Sequence, residues 1–387
     1  MKRLQSIDLI RGAVMIIMAL DHVRDLMHVN SLTQIPTNLA TTTPLLFFTR
    51  FITYFCAPTF VFLAGTSAFL NFKRYNNLLV TRKYLISRGL ALIFIEFTIV
   101  NFGMFFDLGF HTFIFEVIAT IGFGFVILGL LLPVPSKVLG IIGLLIIFTH
   151  NLYPMLPFDK GSAIGTIISQ FFLPGATPFG PRVFVMAYPP IPWLGIMLCG
   201  FATGNIFALP VPKRKEIFLW VGVSALVVFA IVRYLNFYGD PLPFTVQPTT
   251  VYTSLSFINL TKYPPSLLFC LVTLGILFIA FATFSGSANN KIAGVLSVYG
   301  KTPMFYFLVH FYLIHVLMVV MLFIQGFHWT DLNFASGNFG RSKNVKSGLG
   351  LGAVYLLWLF VVIALYKPCM WYAKYKATHK HWWLRYI

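Results

Sequence analysis

The sequence has little charge, and few of its charged residues are acidic. Of the 387 residues only 10% are charged, and Asp and Glu together number 10. Soluble globular proteins carry about 25% charged residues, so this composition excludes a soluble fold. It also excludes a disordered chain, which would be poor in large apolar side chains, because 58% of the residues are hydrophobic and 43 are Phe.

Cysteine is scarcer still, with four residues that form no C-x-x-C pair. This pattern excludes a disulfide framework and a zinc site built on cysteine. Each cysteine lies in or beside an apolar run, which predicts small buried residues rather than metal ligands. The H-E-x-x-H metal motif is absent as well. The four residues are Cys56, Cys199, Cys270 and Cys369.

Long apolar runs are what the sequence has in abundance. A membrane-spanning helix needs about 20 consecutive apolar residues, and runs of about this length recur along the whole chain. They predict an all-α, polytopic integral membrane bundle of about ten helices, forming a single domain over residues 1–387. The predicted spans are 7–27, 45–72, 86–106, 112–132, 137–152, 190–209, 216–235, 264–284, 299–326 and 348–372.

The basic residues predict the orientation of this bundle. The net charge is +18, and the loops and span ends on one predicted side hold 18 Lys and Arg against nine on the other. Cytoplasmic loops are enriched in Lys and Arg, so both termini are expected in the cytoplasm. By the same reasoning the excess of basic residues indicates a protein oriented in a lipid bilayer and not one that binds nucleic acid. The long connections 153–189, 236–263 and 327–347 then lie outside and are expected to cover a site.

Charged residues inside a span are costly and mark candidate functional sites. Arg11 and His22 are 11 residues apart, which on a helix is an offset of about 20° and a rise of about 16 Å. They therefore share one face of the first span. Asp25, three residues after His22, is expected to hydrogen-bond the imidazole and fix its tautomer. Asp21 is the second candidate for that role, and Arg50 is expected to pair with one of the two carboxylates.

Other polar residues in the spans have structural or functional interpretations. Glu96, Asn101 and Glu116 are predicted to be hydrogen-bond partners between helices. His310 and Lys262 are candidates for the site, with Lys262 placed to stabilise an oxyanion or to hold an acidic acceptor. The glycines of the segment 348–352 are expected to permit close helix packing.

Several stretches resemble a known family. The spacing Arg11-x10-His22 is similar to a signature of the membrane acyltransferases of type 3. The surrounding SIDLIRGAVMIIMALDH resembles the bacterial branch of the heparan-α-glucosaminide N-acetyltransferase catalytic-domain family more closely. Three further stretches support that branch: YPPIPWLGIMLCGFATG (188–204), TKYPPSLLFCLVTLG (261–275) and YGKTPMFYFLVHFYLIH (299–315).

The resemblance implies an acyltransferase of the bacterial cytoplasmic membrane. Such an enzyme takes an acyl group, here expected to be acetyl, from cytoplasmic acyl-coenzyme A and requires no metal. It passes the group to a sugar amine or hydroxyl of an envelope glycan or glycolipid outside. The resemblance makes Arg11 and His310 candidate donor contacts and His22 the candidate general base. Lys262 joins the candidate donor contacts by its position and charge. Animal members have asparagine at the position of His22 and use a histidine in the following loop, where this sequence has His28, so both histidines remain candidates for the base.

A different class of function is also compatible with the polar stripe on the first span. A transporter or permease for an anionic metabolite would use Arg11 and His22 as a substrate and proton relay. Coenzyme A binding distinguishes the enzyme from the transporter. The identity of the acceptor, the acyl chain length, N- versus O-transfer and the formation of a homodimer are left open by the sequence.

Overall fold

A computed structural model describes residues 4–156, 161–286 and 291–386. The described chain is mostly helical, and α1 lies against α2, α3, α12, α13, α14 and α15 near the centre of the bundle. The helices are α1 (Gln5–Met27), α2 (Pro44–Thr53), α3 (Cys56–Tyr75), α4 (Leu78–Ile95), α5 (Asn101–Phe105), α6 (Val117–Leu131), α7 (Ser136–Thr149), α8 (Ala163–Phe172), α9 (Pro190–Thr203), α10 (Val211–Leu235), α11 (Thr250–Ile258), α12 (Leu267–Phe284), α13 (Lys291–Lys301), α14 (Pro303–Ile324) and α15 (Leu351–Thr378).

Local chemistry accounts for where several of these helices begin. The first backbone N–H groups of a helix lack a partner within it, and a polar side chain just before the helix can accept from them. Thr43 accepts from the N–H of Leu46 at the start of α2, and Asn77 accepts from Val80 in α4. Ser266 does the same for Phe269 in α12. These caps fix the N-terminal ends of α2, α4 and α12.

Eight helices in the described part of the chain are long and apolar enough to cross a membrane. Of the ten predicted spans, the first and the fourth are not among them. The helix α1 carries three Asp and two Arg, and α6 has only 15 residues. The span predicted at 45–72 is divided into α2 and α3, which meet before Pro58, and the span predicted at 299–326 is divided between α13 and α14.

The prediction of an all-α fold needs one correction, because the described chain also contains a small β-sheet. Its strands are β1 (Thr112–Phe115), β2 (Gly175–Phe179) and β3 (Arg182–Met186), in the order β1-β3-β2. β1 pairs parallel with β3, and β2 pairs antiparallel with β3. The first residues of the predicted span 112–132 are therefore a strand. An apolar run of four residues carries no signal for a partner 70 positions along the chain.

A π-helical turn joins α4 to α5 and braces the sheet. It spans Glu96–Val100, and the Asn101 side chain donates to the carbonyl of Glu96 at 2.8 Å and to that of Ile114 at 3.1 Å. The Asn101 amide oxygen accepts from the N–H of Ile114 at 2.9 Å. The Glu96 carboxylate accepts from the N–H of Ala119 at 2.9 Å, in the first turn of α6. Glu96 thus bonds to a second helix, as predicted, whereas Asn101 bonds to strand β1 and not to a second helix. Together they fix the point where α6 begins.

Two glycines let α1 and α13 approach closely near Arg11. A Cβ atom on Gly12 would lie 1.9 Å from the carbonyl oxygen of Leu296, and one on Gly300 would lie 1.9 Å from that of Asp8. Of the glycines of 348–352, Gly348 serves such a contact, because a Cβ atom there would lie 2.7 Å from the carbonyl oxygen of Met27 at the end of α1. The predicted role is wrong for the other two. Gly350 and Gly352 have open space where a Cβ would be.

Candidate active site

A cavity of about 740 Å³ is open to the end of the bundle where α1 begins. Arg11 reaches it from α1, Arg88 from α4 and Lys301 from the end of α13. Lys374 and Lys376 of α15 complete the set of five cations, and no Asp or Glu belongs to the described lining. Basic residues that are distant in sequence therefore surround one entrance, which we call the basic cavity. Its field favours a polyanionic ligand.

Arg11 is held in place by three elements. Its Nη1 donates to the carbonyl oxygen of Gly300 at 3.2 Å and approaches Asp8 Oδ1 at 3.4 Å. Its Nη2 donates to Ser67 Oγ of α3 at 3.4 Å. The guanidinium retains part of its exposure, with 20% of the side chain accessible. This fixed but accessible cation is suited to a phosphate oxygen.

A second, smaller chamber of about 40 Å³ lies farther along α1. Polar groups from four regions of the chain converge on it: Asp21 and His22 of α1, Glu116 before α6, Tyr188 before α9 and Lys262 before α12. Phe60, Val117 and Phe307 line both this polar chamber and the basic cavity. The two spaces therefore meet at three apolar side chains. The predicted stripe from Arg11 to His22 follows this path.

The imidazole of His22 has a partner that the sequence analysis did not assign to it. Its Nδ1 lies 2.6 Å from Nε2 of His310 on α14, and Nδ1 of His310 lies 2.9 Å from the carbonyl oxygen of Tyr306. A carbonyl only accepts, so Nδ1 of His310 carries a proton. Nε2 of a neutral His310 is then the acceptor, and His22 donates to it from Nδ1. The free lone pair of His22 is consequently on Nε2, on a ring that lines the polar chamber.

The two carboxylates proposed as partners of His22, Asp21 and Asp25, are hydrogen-bonded to arginines instead. Asp21 accepts from Arg24 and Arg50 at 2.5 Å each and from Thr53 at 2.8 Å. Asp25 accepts from Arg24 at 2.7 Å and is half-exposed. The expected Asp25–His22 hydrogen bond is absent from the described contacts, whereas the expected pairing of Arg50 with Asp21 is present. Arg24, buried on the same helix, donates hydrogen bonds to both carboxylates, so neither pairs with the imidazole.

His310 occupies a different position from the one expected of a donor contact. It is fully buried and belongs to the described lining of neither space. Its two ring nitrogens are engaged by His22 and by the Tyr306 carbonyl. The structure therefore places it behind His22, away from both spaces.

Lys262 lies in the polar chamber and is 6% exposed. Its ammonium is 5.0 Å from the centre of the Tyr263 ring and 5.9 Å from that of Tyr188, within the range of cation–π contacts. It forms no hydrogen bond or ion pair with the residues that the structure describes. Asp240 fixes the flanking chain by accepting from the Thr261 N–H at 2.9 Å and the Ser266 hydroxyl at 2.5 Å. Lys262 is therefore a cation that is available to a ligand, on a segment whose backbone is held by hydrogen bonds.

Glu116 is the site residue that the sequence analysis misassigned as a helix-to-helix partner. It precedes α6, makes no side-chain hydrogen bond to a described residue and lines the polar chamber. The signal available in the sequence was a lone carboxylate at the start of an apolar run. Its direction depends on β1 and on the π-helical turn, which the local pattern does not reveal.

The alternative base, His28, lies outside both spaces. It follows α1, and its backbone forms a β-bridge with Leu349. Burial lowers the pKa of His28, and the nearby Arg24 and Arg341 lower it further. The geometry thus favours His22 as the group that meets a ligand in the polar chamber.

Comparison with protein families gives a match over residues 3–240, to the catalytic domain of heparan-alpha-glucosaminide N-acetyltransferase. The matched part contains Arg11, His22 and Glu116, whereas Lys262 and His310 lie beyond it. Comparison with curated proteins gives no match. Because the match covers more than half of the chain, the protein belongs to the heparan-alpha-glucosaminide N-acetyltransferase catalytic family, a family of membrane acetyltransferases with acetyl-coenzyme A as co-substrate.

Proposed function

We propose that the protein transfers an acetyl group from cytoplasmic acetyl-coenzyme A to a sugar amine or hydroxyl on the extracytoplasmic side of the membrane. The observation that carries this proposal is that the basic cavity and the polar chamber are adjacent, with Phe60, Val117 and Phe307 lining both. The donor enters at one end of this path and the acceptor at the other.

The shape and charge of the basic cavity support coenzyme A as the ligand. Small-molecule sites enclose about 300–1,000 Å³, and the cavity of about 740 Å³ falls in that range. Its cations suit the phosphates of the nucleotide end. The helical rise of about 16 Å from Arg11 to His22 suits the thin pantetheine arm. The arm brings the thioester to the apolar side chains that line both spaces, Phe60, Val117 and Phe307.

His22 is the proposed general base. Its Nε2 takes a proton from the acceptor as the acceptor's nitrogen or oxygen attacks the thioester carbonyl. A carbon–nitrogen or carbon–oxygen bond forms, the carbon–sulfur bond breaks, and the coenzyme A thiolate recovers a proton from the imidazolium. His310 holds the tautomer that leaves Nε2 free, and Lys262 supplies positive charge for the developing oxyanion.

The proposal is tested with purified protein in detergent. Coenzyme A should raise the unfolding temperature, because a ligand that binds only the folded state stabilises it. Acetyl-coenzyme A should be consumed in the presence of amino sugars, with release of free thiol. Uptake of an anionic metabolite into vesicles without any response to coenzyme A would instead identify a transporter.

A further inference from the structure

The polar chamber is lined by a carboxylate, that of Glu116, which has no role in the proton transfer assigned to His22. Glu116 is half-buried, lines the chamber beside His22 and accepts no hydrogen bond from a described residue. The other chamber-lining carboxylate, Asp21, is neutralised by Arg24 and Arg50. Glu116 is therefore the one carboxylate of the described lining that is left for a ligand.

Glu116 has no structural task at the helix that it precedes. A carboxylate at this position ordinarily accepts from the first N–H groups of the helix. Here Glu96 accepts from Ala119 in the first turn of α6, and Glu116 makes no capping hydrogen bond. Strand β1 and the π-helical turn hold the backbone on its N-terminal side. The side chain is thus placed by a rigid frame and directed to the chamber.

An amine acceptor places a demand on the site that a hydroxyl does not. A sugar amine reaches the chamber largely as an ammonium ion, which must lose one proton before its nitrogen can attack. It loses a second proton when the new bond forms. Two uncommitted bases face the chamber, Nε2 of His22 and the Glu116 carboxylate. We propose that Glu116 is a catalytic residue that binds the acceptor's ammonium group and removes its first proton.

The steps balance for a primary amine. Glu116 takes one proton from the ammonium, and the free amine attacks the thioester carbon. His22 takes the second proton as the carbon–nitrogen bond forms, and it returns that proton to sulfur as the carbon–sulfur bond breaks. Glu116 releases its proton to the outside when the amide product leaves. The net reaction converts ammonium and thioester into amide, thiol and one proton. This inference rests on the proposed acetyltransferase function.

The groups around Glu116 are consistent with Glu116 removing the first proton and His22 the second. The titratable groups that face it across the chamber are Asp21 and His22 of α1, Cys56 of α3, Tyr188 and Lys262. Lys262 and Glu116 form no ion pair with each other or with any other described residue. One uncommitted cation and one uncommitted carboxylate suit a reaction in which a thioester oxygen becomes negative while an ammonium gives up its charge.

The test compares acetyl transfer by the full-length wild type with that of Glu116→Gln. At neutral pH we expect kcat/KM for glucosamine to fall roughly 30- to 150-fold in Glu116→Gln, as for a lost charge-assisted contact. The variant reacts only with amine that is already deprotonated, so its deficit should shrink as the pH rises. With hydroxylamine, a weakly basic amine that is mostly neutral at pH 7, the deficit should be much smaller. Glu116→Asp, which keeps the carboxylate, should recover part of the rate.

The matched control is Glu96→Gln, which changes the structural carboxylate at the same helix. Its effect on kcat/KM should be the same for both amines and at every pH. Stabilisation by coenzyme A verifies that each variant is folded. An unchanged rate in Glu116→Gln, a deficit independent of pH, or wild-type transfer to hydroxyl acceptors alone would overturn the role of Glu116 and leave the acetyltransferase proposal standing. A wild type that releases no thiol from acetyl-coenzyme A would overturn both.

Discussion

At the level of single residues, the proposed chemistry depends on which nitrogen of His22 is free. The hydrogen bond to His310 leaves Nε2 unprotonated on a ring that lines the polar chamber. Asparagine at this position keeps a polar group but cannot act as a base. We expect His22→Asn to reduce acetyl transfer by about 10²–10⁴, the usual contribution of general base catalysis, while coenzyme A binding persists. His28→Asn is the control, and a large loss there with a normal rate in His22→Asn would assign the base to the loop histidine.

His310 acts through His22, so its replacement should be less damaging. His310→Phe fills the space but removes the acceptor that fixes the tautomer. We expect kcat to fall about 10- to 100-fold, as for other residues that orient a reactive group, with little change in KM for the donor. The pH dependence of kcat should shift as well, because the imidazolium of His22 loses a hydrogen-bond partner. A change in KM alone would show that His310 contacts the donor.

Arg11 belongs to donor binding. Its guanidinium lines the basic cavity and is fixed by Gly300 and Ser67. If it contacts a phosphate, Arg11→Ala should lose about 2–3 kcal/mol of binding, or roughly 30- to 150-fold in KM for acetyl-coenzyme A. Turnover at saturation should change less. Lys137→Ala removes an exposed cation outside the cavity and should have no effect; equal losses in both variants would argue against a specific contact.

At the level of elements, the contact between α1 and α13 depends on glycine. Gly300→Ala would place a methyl group 1.9 Å from the carbonyl oxygen of Asp8 and push apart the helices that carry Arg11 and Lys301. We expect it to cost about 1–3 kcal/mol or more, measured as a lower unfolding temperature in detergent and weaker protection by coenzyme A.

The same helix provides the matched control. Gly294 of α13 is exposed and has open space around the position of a Cβ atom. Gly294→Ala should therefore be neutral or slightly stabilising, since alanine is the better helix former. Similar losses in the two variants would show that the helix itself, rather than its contact with α1, is sensitive to alanine.

At the level of the whole molecule, the distribution of cations predicts the orientation in the membrane. Leu79 and Val246 are exposed at opposite predicted faces, and their replacement by Cys provides sites for a reagent that does not cross membranes. In intact cells Val246→Cys should be labelled and Leu79→Cys should not. Three native cysteines are buried and the fourth is half-buried, so the background is expected to be low. Labelling at position 79 from outside would reverse the orientation and the proposed side of donor entry.

Local properties of the chain were enough to predict the membrane class, most helices and the alignment of Arg11 with His22. Each of these depends on residues close in sequence, through apolar run length or the helical repeat. The basic cavity follows partly from the same information, because the bias of loop charges already groups its cations at one end.

The tertiary structure alone decided which groups meet His22. His310 lies 288 positions away, and Arg24 withdraws Asp21 and Asp25 from the imidazole. The β-sheet and the direction of Glu116 depend on pairing between Thr112–Phe115 and residues about 70 positions later. Helical spacing predicts which face of a helix a side chain occupies. Its partner on the neighbouring helix is determined by how helices distant in sequence pack together.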